Sequence, residues 1–330
     1  MKKKALFISS ATAQVYSDAD QKEIGSLVDI YLPPMTAEEA LADPSCLSEL
    51  QILLTTWGAP KLDESFLSSA PNLEAVFYAA GSVRSFVTEA FWERDLVVCS
   101  AWQANAVPVA EFTLSQIIFG LKQGYQTLRH YRIRRDMSYP RDGIQGAYGG
   151  KVGLVSLGAI ARKVVDHLHR LDVQVFAYDP YVTPEQAKEL GVTLVSLDEV
   201  FHTCDVVSLH TPWLKETERM IRGEHFEAMK PNTTFINTAR GAVVNETEMI
   251  EVLRRREDLV AVLDVTWPEP PVKDSPLWDL PNVVLTPHIA GSVGRECYRM
   301  GRMMTDELRR YLEGRPLQTR LTRQRAQLMA

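Results

Sequence analysis

Three side chains close to the ends of apolar, strand-like runs have the types that acid–base chemistry on a carboxylate ligand requires. Arg240 lies in Ile236-Asn237-Thr238-Ala239-Arg240-Gly241, Glu269 in Asp264-Val265-Thr266-Trp267-Pro268-Glu269-Pro270, and His288 in Thr286-Pro287-His288-Ile289-Ala290-Gly291. An imidazole titrates near neutral pH and can give up or take on a proton. A carboxylate beside it can orient the ring and stabilise its protonated form. A guanidinium offers a rigid fork of donors to a carboxylate or carbonyl oxygen. In open α/β sheets the carboxyl ends of the strands surround the ligand crevice, so these three can converge. Each alone also has a plain structural reading: a surface ion-pair arginine, a loop carboxylate between prolines, a helix-capping histidine. His130, His167, His169, His202 and His225 stand in polar or helical contexts and receive no assignment.

A second constellation lies earlier in the chain. Val152-Gly153-Leu154-Val155-Ser156-Leu157-Gly158-Ala159-Ile160-Ala161 is a strand that ends in a tight turn and opens a helix, with Ile160, Val164, Val165, Leu168 and Leu171 on its apolar face. The helix start at Gly158, Ala159 and Ile160 offers unpaired N–H groups and a partial positive charge, which suits a pyrophosphate. A dinucleotide turn asks for three glycines, each for its own reason. Only the middle one, Gly158, is intact, and it is the one that lets backbone approach phosphate. Ser156 replaces the turn glycine, and Ala161 replaces the helix-packing glycine with a permitted small residue. Asp179, 21 residues beyond Gly158, ends the next apolar strand. A carboxylate there can accept from both adenosine ribose hydroxyls and repels a 2′-phosphate, which favours NAD over NADP. The alternative for Asp179, which precedes Pro180, is a turn-forming aspartate.

The elements that must position these residues follow from the pattern. Short β-rich runs alternate with amphipathic stretches, the mark of parallel α/β architecture. The expected strands of the first hundred residues are Lys4–Ser10, Val28–Leu32, Ile52–Thr56, Leu73–Ala79 and Leu96–Ser100, with helical stretches such as Ala37–Leu41 and Val87–Glu93 between them. One long helix, Val107–Tyr131, leads through a Gly-, Pro- and Tyr-bearing loop, Asp136–Gly150, to a second series. Its strands are Lys151–Leu157, Val173–Asp179, Asp205–His210, Thr233–Thr238, Leu259–Val265 and Val283–Thr286, and six is the count of a doubly wound dinucleotide domain. Helix resumes over Gly294–Leu312, with Met300, Met303, Met304 and Leu308 at near-helical spacing. Beyond it, Arg315, Arg320, Arg323 and Arg325, punctuated by Leu317, Leu321 and Leu328, suggest a solvated helix face rather than a nucleic-acid tail.

Bulk properties narrow the function classes. At 330 residues the chain suits two domains. A formal charge of -6 argues against a general affinity for nucleic acid or anionic membrane. The basic start, Met1-Lys2-Lys3-Lys4, precedes an apolar run that breaks at Ser9-Ser10, so it is expected to be a buried strand and not an export signal. No segment is expected to reach the apolar length of a membrane span. Cys46, Cys99, Cys204 and Cys297 are far apart and form no CxxC pair, so neither a metal site nor a disulfide framework is expected, which fits a cytoplasmic protein.

Taken together, these segments resemble the D-isomer-specific 2-hydroxyacid dehydrogenases, a family that includes phosphoglycerate dehydrogenases and glyoxylate/hydroxypyruvate reductases. The resemblance adds Asn105-Ala106-Val107-Pro108-Val109-Ala110-Glu111, Tyr178-Asp179-Pro180 and Ser208-Leu209-His210-Thr211-Pro212 to the segments above, and it runs over nearly the whole chain. It implies two Rossmann-like domains: a flavodoxin-like substrate domain of residues 1–101 plus 293–330, and an NAD-binding domain of residues 102–292 inserted in it. The active site is then expected in the cleft. It implies NAD-dependent interconversion of a small 2-hydroxy acid (D-isomer) and its 2-oxo acid, with Arg240, Glu269 and His288 as the catalytic set. His288 would act as general acid/base, and Arg240 would also hold the substrate. His210, Thr211, Pro212, Thr238, Ala239 and Asp264 would lie near the cofactor. A homodimer is expected by analogy, through the apolar-striped segment around Val109–Leu128.

The same resemblance aligns Tyr78-Ala79-Ala80-Gly81-Ser82-Val83 with the loop whose backbone N–H groups hold the substrate carboxylate, so Ala80, Gly81 and Ser82 are expected to bind substrate. Two residues depart from the family pattern: Arg84 stands where Asp or Asn is common, and Trp102 replaces a more usual proline. They are expected to tune the pocket toward a second acidic group or a bulkier side chain, unless Arg84 simply faces solvent. The rival reading from another class is a non-catalytic NAD(H)-sensing binding protein on the same fold, as in related transcriptional corepressors. Glu269 argues against the formate-dehydrogenase branch, which lacks this carboxylate–histidine pairing.

Overall fold

The alternating apolar runs form two separate parallel sheets in the computed structural model, which describes residues 2–139, 141 and 143–329. The first sheet contains β1 (Lys4–Phe7), β2 (Asp29–Ile30), β3 (Ile52–Thr55), β4 (Ala75–Tyr78) and β5 (Val97–Ser100), in the order β2-β1-β3-β4-β5. This is the order of the flavodoxin-type sheet. β3 and β4 are buried along their whole length, as expected for a parallel sheet covered on both faces. Helix Cys297–Leu312, from the far end of the chain, buries Met300, Met304 and Leu308 in the same core as Leu6 and Phe77. A three- to four-residue spacing puts those three side chains on one face.

The second sheet contains β6 (Lys151–Val155), β7 (Gln174–Tyr178), β8 (Thr193–Leu194), β9 (Val206–Leu209), β10 (Thr234–Asn237), β11 (Val260–Leu263) and β12 (Val283–Leu285). Its order is β12-β11-β10-β9-β6-β7-β8, all parallel. The winding reverses beside β6, which pairs with β7 on one side and β9 on the other; ligands of doubly wound sheets bind at such switch points. The sheet has one strand more than the sequence pattern suggests. β8 is two residues long, too short to show a period of two.

Contacts divide the chain into one unit of Met1–Asn105 with Ser292–Met329 and another of Ala106–Gly291. The first boundary falls after residue 101 because helix Trp102–Leu121 contributes its opening turn to the first unit. The single long helix expected over Val107–Tyr131 is in fact two, Trp102–Leu121 and Gly124–Arg134. The break comes at Gln123, whose φ of 48° is left-handed; its amide donates to the Gly143 carbonyl at 2.9 Å.

The first of these helices corrects another expectation, since its 20 residues are long and apolar enough to cross a bilayer by length and composition alone. Ala110, Ile117 and Leu121 pack in the second unit's core with Val152, Leu154, Val206 and Ile236. The described part of the Asp136–Gly150 loop has neither helix nor strand; Pro140 and Asp142 lie outside the described residues. At the other end, Gly294–Glu296 is a 3-10 turn, so the final long helix begins at Cys297.

The last segment presents Arg323 and Arg325 exposed on the short helix Arg323–Gln327, a solvated helix face, and is also tied to the first unit. Ser100 N–H donates to Thr319 O and Leu321 N–H to Val98 O, which extends the first sheet beyond β5. The buried Glu307 carboxylate accepts from the N–H groups of Gln318 and Thr319, both at 2.9 Å. Leu321 and Ala326 are buried, whereas Leu328 is exposed.

Candidate active site

The second unit gathers its chemistry-bearing residues at the carboxyl ends of its strands. After β11, Asp264 is 2% exposed, and its carboxylate is fully engaged. Oδ1 accepts from Thr286 Oγ1 at 2.6 Å and from Ile289 N–H at 2.8 Å, and Oδ2 accepts from Ala290 N–H at 2.9 Å. His288 N–H also donates to the Asp264 carbonyl at 3.0 Å. One aspartate thus holds the whole turn that follows β12. Within that turn His288 has a left-handed φ of 53°, a conformation uncommon for a residue with a Cβ.

The turn aims the imidazole at the loop after β11. His288 Nδ1 lies 2.5 Å from Glu269 Oε1, with the two side chains 50% and 37% exposed. A carboxylate at Nδ1 fixes the tautomer, so that Nε2 is the nitrogen left for a ligand. The loop carrying Glu269 is itself tied down: Trp267 N–H donates to Glu246 Oε2 at 3.1 Å. Burial raises the Glu246 carboxyl above the ordinary carboxylate range, the hydrogen bond from Trp267 working in the opposite direction.

Arg240 follows β10 in the same unit. Asn237, which ends that strand, takes a hydrogen bond from Ala239 N–H at 3.0 Å and donates to Arg240 O at 3.1 Å, closing the loop beneath the guanidinium. Arg240 Nη1 donates to Ala239 O at 2.6 Å. The Arg240 and Glu269 loops are held against each other at Gly241, where a Cβ would lie 2.0 Å from the Thr266 carbonyl carbon. Only glycine allows that approach. Sequence reasoning named Arg240, Glu269 and His288 but not Asn237, Glu246 or Thr286, whose polar side chains were visible in the segments without any sign of what they bind.

The residues expected near a cofactor surround the switch point. Ser156, at the end of β6, has a φ of 75°, so the serine keeps the left-handed turn that glycine ordinarily supplies. Gly158 caps helix Ala159–Leu168, and nothing lies within 4 Å of where its Cβ would be. Ala161 is buried in the packing of that helix. The open space over Gly158 beside a ten-residue helix start is what a dinucleotide pyrophosphate needs, so these residues fit the group. Asp179 Oδ2 accepts from Leu157 N–H at 2.7 Å and Oδ1 from Tyr181 N–H at 2.8 Å. The second bond is the turn-forming role, and the first ties β7 to the glycine turn.

His210, Thr211 and Pro212 follow β9. His210 N–H and Thr211 Oγ1 both donate to Val155 O, at 2.9 and 3.3 Å, which places them beside the end of β6. Burial pushes the His210 imidazole down to about 4, so it is neutral at physiological pH. Thr238 and Ala239 are buried after β10, Thr238 against Thr113 Oγ1 at 3.1 Å. Among the described residues no group of three or more His, Cys, Asp or Glu side chains could hold a metal, and all four cysteines are free thiols.

Ala80, Gly81 and Ser82 belong to the first unit, just past β4. The buried Ser100 hydroxyl donates to the Ala80 carbonyl at 3.0 Å and also contacts that of Gly81. Arg84 is exposed, with Nη1 3.4 Å from Met329 O. Trp102 is half-buried under the Arg325 guanidinium, 4.7 Å from the ring centroid.

The left-handed serine gives a direct test. A residue with a Cβ in that conformation costs about 1–2 kcal/mol, and glycine recovers part of this against its greater freedom when unfolded. Ser156→Gly is therefore expected to stabilise the protein by about 0.5–1 kcal/mol in denaturant titration. A loss of stability would mean that the weak contact from Ser156 Oγ to Asp179 Oδ2, at 3.4 Å, matters more than the backbone.

Residues 115–290 match the NAD binding domain of the D-isomer specific 2-hydroxyacid dehydrogenases. A D-3-phosphoglycerate dehydrogenase of Archaeoglobus fulgidus is 31% identical over 78% of this chain and 49% of its own length. The chain spans about half the length of the phosphoglycerate dehydrogenases it matches. An (S)-sulfolactate dehydrogenase of Chromohalobacter salexigens is 34% identical over 76% of this chain and 82% of its own. The apo crystal structure of Rhodotorula graminis D-mandelate dehydrogenase shares the fold, with a TM-score of 0.80, 23% identity and 98% of each chain covered. A match over more than half the chain, placed on the unit that holds the open glycine turn and the histidine–carboxylate pair, makes this chain a member of the D-isomer specific 2-hydroxyacid dehydrogenase family, carrying its NAD binding domain.

Proposed function

We propose that the protein is an NAD-dependent dehydrogenase that interconverts a small D-2-hydroxy acid and its 2-oxo acid. The observation that carries this is the His288–Glu269 pair at 2.5 Å, set on a turn that Asp264 holds rigid. NAD, when bound, supplies the hydride chemistry, and Gly158, Ala159, Ile160 and Asp179 are the residues to hold it. His288 carries the proton. In reduction the imidazolium gives its Nε2 proton to the substrate oxygen, and in oxidation the neutral ring takes it back at the same atom. Glu269 keeps Nδ1 protonated throughout and stabilises the charged ring. Arg240 presents its fork to the substrate carboxylate. In the first unit, Ala80, Gly81 and Ser82 are the backbone donors for the same kind of group.

The oligomer belongs to this proposal too. Ile118, Phe119, Leu128, Tyr131 and Ile133 are large apolar side chains exposed on the two helices Trp102–Leu121 and Gly124–Arg134. A homodimer in the cytoplasm that covers them accounts for the exposure.

The decisive experiment is oxidation of NADH and of NADPH in the presence of a panel of 2-oxo acids. Turnover with NADH that is lost in His288→Asn supports the enzyme. Tight NADH binding without turnover of any acid would favour the sensing role. NADH is expected to be preferred over NADPH, and Asp179→Ser is expected to narrow that preference roughly ten- to a hundredfold, the range of a like-charge clash removed. An unchanged preference would assign Asp179 to the turn alone.

A further inference from the structure

We propose that Glu246 is a positioning residue for the proton transfer: it holds the proline-stiffened loop that carries Glu269, and so keeps that carboxylate against the His288 ring. This rests on the dehydrogenase reading above and adds to it a residue that acts through another.

The loop after β11 offers little to hold it by. Pro268, Pro270 and Pro271 carry no N–H, so the stretch around Glu269 has few backbone donors. One of them, the N–H of Trp267, donates to Glu246 Oε2 at 3.1 Å. The same prolines fix their own φ and restrict the residue before each. Between Trp267 and Glu269 there is thus little slack, and a shift of the backbone at Trp267 carries Glu269 with it. The pair with His288 leaves no room for such a shift, because Nδ1 and Oε1 lie 2.5 Å apart. The Trp267 ring, half exposed, meets the Trp213 ring with centroids 4.5 Å apart. That contact constrains the indole, whereas the hydrogen bond to Glu246 constrains the backbone.

Glu246 itself stands on a firm base. It opens helix Glu246–Arg255, at the end of the segment that begins with Arg240. Ile221 N–H donates to Val243 O at 3.1 Å and Asn245 N–H donates to Ile221 O at 2.8 Å, which pins that segment just before Glu246. The helix does not need Glu246 as its cap, because the Asn245 side chain already accepts from Glu248 N–H. The Glu246 side chain is nonetheless half-buried. Burial raises its carboxyl against the opposing pull of the Trp267 N–H, a cost that a carboxylate turned to solvent avoids. What the inward position gives in return is reach to the one loop whose placement the His288–Glu269 pair depends on.

The test is a pair of substitutions in the full-length protein, read as NADH oxidation with the best 2-oxo acid of the panel. Glu246→Asp keeps the charge but, one methylene shorter, falls short of the Trp267 N–H. Glu246→Gln gives up the charge and keeps an acceptor oxygen at the same reach. Glu246→Asp is expected to lower kcat roughly 10- to 100-fold, the range for a displaced reacting group, with KM within about threefold of the parent. Glu246→Gln is expected to stay within about threefold of the parent in both. The second reading is taken in the Glu269→Gln background. There, adding Glu246→Asp is expected to cost less than about twofold, because residues that act as one unit do not add. Parental kcat in Glu246→Asp, a loss in Glu246→Gln as large as that in Glu246→Asp, or the full loss repeated in the Glu269→Gln background would overturn the inference and leave the dehydrogenase standing. No turnover of any acid by the parent would overturn the dehydrogenase reading itself, and the inference with it.

Discussion

His288→Asn is expected to lower kcat by roughly two to four orders of magnitude, the usual contribution of a positioned general acid, with little change in stability. Asparagine is the informative replacement because of the backbone. The φ of 53° at this position suits asparagine better than alanine, which would add strain unrelated to proton transfer. The half-exposed side chain contacts Glu269, so the fold loses little. Stopped-flow NADH oxidation with the best 2-oxo acid measures the chemical step, and the binding of NADH should stay within a few-fold of the parent. A variant that retains more than about a tenth of the parent rate would show that another group supplies the proton.

Asp264→Ala is expected to harm both stability and catalysis. The substitution leaves the N–H groups of Ile289 and Ala290 and the Thr286 hydroxyl without their acceptor in a position that is almost wholly buried. Hydrogen bonds to a charged group are individually large, and orphaned buried donors add their own cost, so a loss of about 3 kcal/mol or more follows. For a domain of this size that lowers Tm by about 6–12 °C. Below the new transition the variant should be folded yet slow, because the turn that aims His288 at Glu269 has lost its anchor. A folded variant with parental kcat would show that Asp264 only stabilises the turn.

The two sheets were legible because their central strands, β3, β4, β9, β10 and β11, are buried along their whole length and appear as largely apolar runs. The strand ends were overextended by one to three residues for the same reason. Leu73 and Val265, for example, are buried although neither lies in a strand. β8 and the break at Gln123 were not legible. The first is too short for any period, and the second depends on a left-handed residue that is not glycine. The candidate site divides in the same way. The types Arg, Glu and His announce their chemistry, and the structure pairs two of them directly. What holds them in place depends on tertiary contact. Asn237 and Thr286 look like ordinary strand-end residues until the carbonyl and carboxylate they meet are known. The hold on the terminal segment was not legible, because it comes from Glu307 and from backbone hydrogen bonds to β5 and not from a pattern within the segment.

The first unit is built from both ends of the chain, and this has a consequence for synthesis on the ribosome. Met300, Met304 and Leu308 complete the core around Leu6 and Phe77, yet they emerge only after everything from Ala106 to Gly291 has been made. The middle of the chain can therefore close its own core first, while the core of the five earlier strands waits for the three side chains that complete it. Joining the distant ends costs little more than closing a shorter loop, since that entropy grows only slowly with length. The exposed interval, however, is long, and unpaired strands in a waiting sheet are the surfaces that holding chaperones bind and that aggregate when none is present. Nascent chains arrested before Cys297 should carry this liability, and chains released after Leu321 should not.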